Sequence, residues 1–451
     1  MDEKLLEQID RRIESSREEL TKDIIKLIGI KSVKDEPSPG APFGRGPKEV
    51  LEAVLKMGEQ EGFFTDDYHV GVVSLALKKG QPDLGIWLHG DVVPEGTGWD
   101  YDPYNATEYQ GYIIGRGATD NKGQLCAIFH LLRIFKELGV ELNYNPALYV
   151  GSDEESGMHD LKGVPGNEDA KGFCNVCTPP RLSLVPDASF PVGYGGKGSM
   201  NVTFRSKRPL QGIQIIAGQD DAPGKAIATL YGKTIITNSP PRHSANPDPH
   251  GNMITRLMER LLEEELADES DRPVLEFFKM VSLDIHGDRF DINVKSEAMK
   301  PLTVFAQRID DINGHPALTV NIRYPEGITH DEIVKRMETV AKEYGLTVWD
   351  SACKIEPYLL DRNWPVLQRL KEIANEITGD EKPLYTLSGG TYAHRLPNAI
   401  AFGMDGNLKP ADFPVGHGNA HGIDEVVSLD RLQRAMRIYA RAMLALNEME
   451  W

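Results

Sequence analysis

The chain has 451 residues, about three times an ordinary domain, so two domains are expected rather than one core. It is 40% hydrophobic and 26% charged, the balance of a soluble globular protein. The formal net charge of −18 argues against a nucleic-acid or anionic-membrane partner but leaves a small substrate open, because a bound metal can override the global field locally.

The opening "MDEKLLEQIDRRIESSREEL" reads as a charged amphipathic helix without an apolar signal core. No later run is long enough to span a bilayer. Four cysteines do not suggest a disulfide scaffold, so a cytoplasmic protein is expected. A Pro/Gly-rich loop, "KDEPSPGAPFGRGP", precedes a helix from about Lys48 to Glu61. The strands "VVSLAL", "LGIWLHG" and "NPALYVGS" follow, with the helix "KGQLCAIFHLLRIFKELG" between the last two. "CNVC" (Cys174 to Cys177) has no second pair to complete a zinc site and reads as two incidental thiols. "RLSLVPDAS" adds another strand. This alternation predicts an α/β fold with a mixed, largely parallel sheet and helices on both faces.

The texture changes near Pro191. "KGSMNVTFRS", "AIATLYGKTIITNSPP", "KPLTVFAQRID" and "PALTVNIRYP" read as strands of an open sheet, with helices around Met253–Ala267 and Asp331–Tyr344 covering one face. From "DRNWPVLQRLKEIANEITG" the α/β pattern returns, with a strand in "PNAIAFG" and a closing helix in "SLDRLQRAMRIYARAMLALNEM". One α/β domain (1–192 and 359–451) is thus interrupted by an inserted α+β domain (193–358).

In open α/β sheets, ligands sit beyond the carboxyl ends of the strands. "LGIWL" ends in His89 and Asp91, which share a face because alternate strand residues point the same way. "ALYVGS" is followed by Asp153, Glu154 and Glu155, and "RLSLVP" by Asp187. "AIAFG" leads into a loop carrying His417 and His421, and "GRGATDNKGQ" sets Asp120 at the entrance to a helix. Each residue alone has a bland reading as a cap or turn residue. Together, so many acids around one rim would repel each other unless cations were present.

Imidazole and carboxylate without thiolate suit zinc, manganese or cobalt. Two divalent ions would balance Asp120, Glu155 and Asp187 plus one hydroxide, with His89 and His421 as uncharged ligands. Asp91 is then free to orient His89, and Glu154 to act as general base and acid.

With these residues in view, the chain resembles the aminoacylase and vacuolar-carboxypeptidase-like family of dinuclear metallopeptidases. The segments that carry the resemblance are "LHGDVVPEG", "GRGATDNKG", "GSDEESG", "VPDASFPVGYGGKG", "SGGTYAHRLPNAIAFG" and "AHGIDE". They run from about residue 80 to the C-terminus. The length and the large insertion look most like bacterial dipeptidases of the peptidase V type.

The resemblance implies one ion held by His89 and Asp187, a second by Glu155 and His421, and Asp120 bridging them. It also implies a cis peptide at Asp120–Asn121, Glu154 as general base and Asp91 beside it. "NSPPRHSANPDPHGN" looks like the family's histidine motif, which makes His243 the oxyanion partner, with His250 as its competitor. "TVNIRYP" matches the segment whose arginine, Arg323 here, would clamp a substrate carboxylate, with the backbone of Gly389 and Gly390 lining the same pocket.

The implied activity is two-metal hydrolysis of dipeptides, zinc first among the metals, with the insertion as a lid and a monomer or a homodimer as the assembly. N-acyl-amino-acid deacylation is the alternative on the same centre. A catalytically dead binding protein is the third reading, and the retention of Glu154 speaks against it.

Overall fold

Four apolar runs, buried at every residue, build the parallel centre of the first sheet: Leu84–His89, Pro146–Gly151, Leu182–Val185 and Ala399–Ala401. They lack alternation because a parallel strand is covered on both faces. The computed structural model describes residues 2–218, 224–238, 247–404 and 409–451. The chain divides into one unit of Met1–Tyr194, Leu360–Tyr385 and Thr391–Trp451, and a second of Gly195–Leu359 and Thr386–Gly390. Residues 386–390 lie with the second unit rather than the first: Thr386 Oγ1 donates to Ala298 O (3.1 Å) and Leu387 O accepts from Lys197 N (3.0 Å).

In the first unit the strand order is Phe64–Asp67, Val72–Ala76, Pro146–Gly151, Leu84–His89, Leu182–Val185, Ala399–Ala401 and Gly193–Gly196. The inner four are parallel to their neighbours, and the flanking pairings are antiparallel, so the sheet is mixed. The helix Gly123–Glu137 packs on two of the parallel strands and against the helices Glu3–Ser15, Arg17–Ile28 and Leu429–Leu446. It is buried at every position from Gly123 to Phe135, as expected of a helix sandwiched between a sheet and an outer layer. The N-terminal helix is two helices rather than one, divided at Ser16, whose Oγ donates back to Ile13 O at 2.8 Å.

A small sheet absent from the sequence reading matters most for the site. Thr107–Tyr109 pairs with Tyr112–Ile114, which pairs antiparallel with Val426–Ser428. It joins the segment just before Asp120 to the segment just after His421.

The second unit holds an antiparallel sheet in the order Lys233–Asn238, Lys225–Leu230, Ile213–Ala217, Thr303–Ile312, His315–Tyr324, Gly198–Ser206 and Leu346–Ile355. "AIATLYGKTIIT" is a hairpin rather than one strand, because Tyr231 and Gly232 both take positive φ and turn the chain. Three helices, Met253–Glu263, Arg272–Leu283 and His330–Glu343, share one core with alternate strand residues such as Val202, Phe204, Ile215 and Val320. The middle helix escaped the sequence reading because Pro273 opens it, and proline at the first turn is favourable there.

Phe277 is the aromatic hub of that core, with ring centroids of Phe204, Tyr344 and Phe290 at 5.1, 5.6 and 6.2 Å. Phe277→Ala is expected to lower the free energy of unfolding by about 3–5 kcal/mol. Urea denaturation followed by far-UV circular dichroism checks it, and a loss below about 1 kcal/mol would contradict this reading of the packing.

Candidate metal centre

The sheet's parallel strands deliver the site at their carboxyl ends. His89 is the last residue of its strand and lies in register with Gly151, the last residue of the neighbouring one. From Gly151 the chain turns through Ser152 and Asp153 into one helical turn, Glu154–Ser156. Asp187 follows Leu182–Val185 by two residues, on the opposite side of the His89 strand.

The structure brings five side chains into two groups that share one member. His89, Asp120 and Asp187 each offer a ligand atom within 4.8 Å of the others, and so do Asp120, Glu155 and His421. Asp120 splits its oxygens between them: Oδ1 lies 3.0 Å from His89 Nε2, and Oδ2 lies 3.1 Å from His421 Nε2. Asp187 Oδ2 is 3.9 Å from His89 Nε2, and Glu155 Oε1 is 3.0 Å from His421 Nε2.

These residues fit divalent ions. Ligands about 2.0–2.2 Å from a tetrahedral zinc lie about 3.3 Å from one another, close to the spacings found here. Nδ1 of His89 meets the main-chain carbonyl of Asp91 at 3.0 Å, a pure acceptor, so the proton sits on Nδ1 and Nε2 is left as the ligand atom. His89 is buried, whereas half of the His421 side chain is exposed.

The remaining acids brace this arrangement. Asp91, expected to orient His89, meets Nδ1 with its main-chain carbonyl at 3.0 Å and its carboxylate at 3.5 Å. The carboxylate oxygens also accept from Glu154 N (3.2 Å) and Glu155 N (3.1 Å), which fixes the turn presenting both glutamates. Asp153 accepts from Lys34 Nζ and His159 Nδ1, both at 2.6 Å. Asp160 accepts from Ser152 N, Asp153 N and the Tyr392 hydroxyl. The Tyr392 ring stands edge-on to His89, centroids 6.5 Å apart. Glu154 itself is buried, and its Oε1 has no hydrogen-bond partner among the described residues.

Electrostatics follow from the crowding. Burial and then Asp187 push Glu154 well above the carboxylate range, and burial and then Asp120 push Asp187 up to about 7. Burial opposes charge on Asp120, but hydrogen bonds from His421 and His89 outweigh it and hold its carboxyl far down. His421 is likewise raised to about 11: burial works against it and the Asp120 and Glu155 carboxylates prevail. Carboxylates that share protons and imidazoles that hold charge mark a place built for cations.

The loop bearing His421 is anchored by two buried acids at its end. Asp424 accepts from Asp100 N (3.0 Å), Tyr101 N (3.1 Å) and His417 Nδ1 (2.5 Å). Glu425 pairs with Arg116 at 2.7 Å. Both Arg116 and Glu425 lie inside the quoted motifs "GRGATDNKG" and "AHGIDE" but escaped notice, since their pairing spans 309 positions. The Asp120–Asn121 peptide is cis.

The other site residues are placed differently. His243 lies outside the described residues, and His250 is exposed, its N–H donated to Asp248 Oδ1 at 3.1 Å. Arg323, in the second unit, donates through Nε to Asn321 Oδ1 (3.1 Å) and has no ion-pair partner among the described residues. Gly389 and Gly390 belong to the same unit, and a Cβ on Gly389 would meet nothing within 4 Å. Cys174 and Cys177 are free thiols. Among the described residues, no helix is long and apolar enough to cross a membrane.

The sequence pattern of Peptidase family M20/M25/M40 matches residues 86–445. YtjP of Bacillus subtilis (strain 168), provisionally named a dipeptidase, is 27% identical over 95% of this chain and 97% of its own. Among solved structures, the di-peptidase Dug1p from Saccharomyces cerevisiae is similar with a TM-score of 0.62 at 13% identity, covering 99% of both chains. YXEP of Bacillus subtilis, described as a dinuclear metal binding peptidase, has a TM-score of 0.53 at 10% identity, covering 97% of this chain and 100% of its own. The two structural likenesses speak for the fold alone.

Asp160 gives a test of the bracing. Burial, aided by Asp91 and resisted by the Tyr392 hydroxyl, raises its pKa from 3.8 to about 7. The stability of the neutral carboxyl is therefore complete below pH 3.8 and is lost as pH rises through about 7. Asp160→Asn keeps an acceptor for Ser152, Asp153 and Tyr392 and carries no charge. It is expected to gain stability relative to the parent across that window, measured by urea denaturation at several pH values. A pH-independent difference would show that Asp160 is not held neutral.

Proposed function

The chain belongs to peptidase family M20/M25/M40, and on that footing we propose that it is a two-metal dipeptidase whose centre is His89, Asp120, Glu155, Asp187 and His421. The observation that carries this reading is the division of the Asp120 carboxylate between two imidazole-carboxylate groups, beside a buried glutamate oxygen without a partner. His89, Asp187 and Asp120 would hold one divalent ion, and Glu155, His421 and Asp120 the other. Zinc is the first choice, then manganese or cobalt. Bound there, such ions supply Lewis-acid polarisation of the scissile carbonyl and make water more acidic.

The chain's own residues do the rest. Glu154 takes a proton from the attacking water through its free Oε1 and returns it to the leaving amine nitrogen, so base and acid are one residue in turn. Asp91 holds Glu154 in place through the main chain, and its carbonyl fixes the proton of His89 on Nδ1. His243 takes the part of oxyanion partner. In the second unit, Arg323 receives the substrate's free carboxylate, with the backbone of Gly389 and Gly390 lining that pocket. A half-buried guanidinium with no ion-pair partner among the described residues is suited to that ligand.

The test is hydrolysis of a dipeptide panel beside matched N-acetyl amino acids by metal-stripped enzyme reloaded with zinc or manganese. Metal-dependent cleavage of dipeptides is expected. Glu154→Gln should lower kcat by about 10²–10⁴-fold with metal content unchanged. Turnover of the acetylated substrates alone would replace the dipeptidase by a deacylase, and no turnover of either class would sink both.

Arg323→Met separates binding from chemistry. It should raise KM for dipeptides about 10–100-fold while dipeptide amides change little, the loss of a hydrogen bond to charge. Equal effects on acids and amides would remove Arg323 from carboxylate recognition.

A further inference from the structure

Resting on the two-ion reading, we propose that the buried Arg116–Glu425 pair positions the Asp120, Glu155 and His421 group, and far less the His89 group. Neither residue offers a ligand atom to either group. The pair works through the main chain on both loops of the second group. Glu425 gathers three backbone N–H groups of the Asp120 loop: Gly117 N at 3.1 Å, Thr119 N at 2.9 Å and Asp120 N at 2.9 Å. Its own carbonyl accepts from Gly115 N at 2.8 Å.

Arg116 faces the other loop. Nη1 donates to Glu425 Oε2 (2.7 Å), and Nη2 lies within reach of the carbonyls of His421 (3.4 Å), Pro94 (3.3 Å) and Glu95 (3.4 Å). The guanidinium also lies over the Trp99 ring, 5.1 Å from its centroid. One end of the pair thus holds the amide of Asp120 and the other the carbonyl of His421. His421 takes φ +61, a left-handed conformation that an imidazole-bearing residue keeps only when its surroundings hold it.

The His89 group has separate supports. His89 is fixed by its strand and by the Asp91 carbonyl, and Asp187 leaves a different strand. Only Asp120 is common to both groups, so loosening His421 should cost one group far more than the other.

Full-length protein stripped of metal would be titrated with zinc by calorimetry, with bound zinc confirmed by elemental analysis. Arg116→Lys keeps the charge facing Glu425 but cannot reach three carbonyls or stack on Trp99. It is expected to bind one zinc with parental affinity and the other about 10–100-fold more weakly. In a His421→Ala background, adding Arg116→Lys should leave the remaining zinc unchanged. Glu425→Gln, which turns an amide NH₂ toward Arg116, should weaken the same ion at least as much.

Equal weakening of both ions by Arg116→Lys, or further weakening of the ion left in His421→Ala, would overturn the proposal in favour of general loosening. Parental affinity at both positions would overturn it as well. A parental chain that binds fewer than two zinc ions would instead refute the two-ion reading beneath it. Should Glu425→Gln fail to fold, the Arg116→Lys titration still decides.

Discussion

The site is governed by repulsion among carboxylates. Asp120 lies within 4.8 Å of both Asp187 and Glu155, and Glu154 is buried beside them. Two like charges at 4 Å oppose each other by about 4 kcal/mol at an effective dielectric near 20. Such a cluster is not tolerated as ordinary surface decoration. It needs cations, and it needs a scaffold that keeps the acids from turning outward to water. Both needs are visible in the side chains around it: two imidazoles converge on Asp120, and the surrounding loops are fixed at many points.

The scaffold solves its problem with more acids. Asp91, Asp160 and Glu425 are buried carboxylates that touch no candidate ion position but collect main-chain N–H groups. Each satisfies its buried oxygens locally with oriented main-chain N–H groups, Asp160 as a neutral carboxyl, and so fixes the loop that carries a functional residue. Asp91 fixes the Glu154–Glu155 turn, Asp160 the residues just before it, and Glu425 the loop of Asp120. Arg116 supplies a positive charge within this layer, and its side chain is as buried as that of its partner. The acid-rich rim therefore has two populations, one facing inward to bind and one facing the backbone to hold.

The inward-facing population was legible in the sequence, and of the bracing acids only Asp91, two residues after His89 on the same strand face, was. Strands ending in "LHGD", "GSDEE" and "VPD" announce themselves, because a strand's carboxyl end in an α/β sheet is a place where side chains converge, and His89, Glu154, Glu155 and Asp187 were legible for that reason. The other bracing acids, Asp160 and Glu425, carry no local signal. A carboxylate that caps backbone amides looks in sequence like any other acid, and the Arg116–Glu425 partnership depends on a three-stranded sheet whose strands are three residues long. Such short strands lack the periodicity by which strands are recognised. Secondary structure failed in the same way: the long apolar helix Gly123–Glu137 was plain, while the break at Ser16 and the Tyr231–Gly232 hairpin were set by local turns that composition blurs.

The second unit adds a different kind of rigidity. Arg323 sits on a strand paired on both sides, with Ser199 across one edge and Thr303 across the other. A residue on an inner strand cannot move its backbone without breaking two ladders of hydrogen bonds, so its guanidinium is mounted more firmly than one on a loop. Asn321, two residues earlier on the same face, steadies it through Nε and leaves the two terminal nitrogens for a ligand. A cation fixed in this way suits a charge that every dipeptide carries in the same place, its terminal carboxylate. Side-chain preference needs the opposite, positions that vary without disturbing the sheet, and loops rather than inner strands supply those. On the proposed reading, the strand would thus receive the carboxylate that all dipeptides share, and loops would read the side chains that differ.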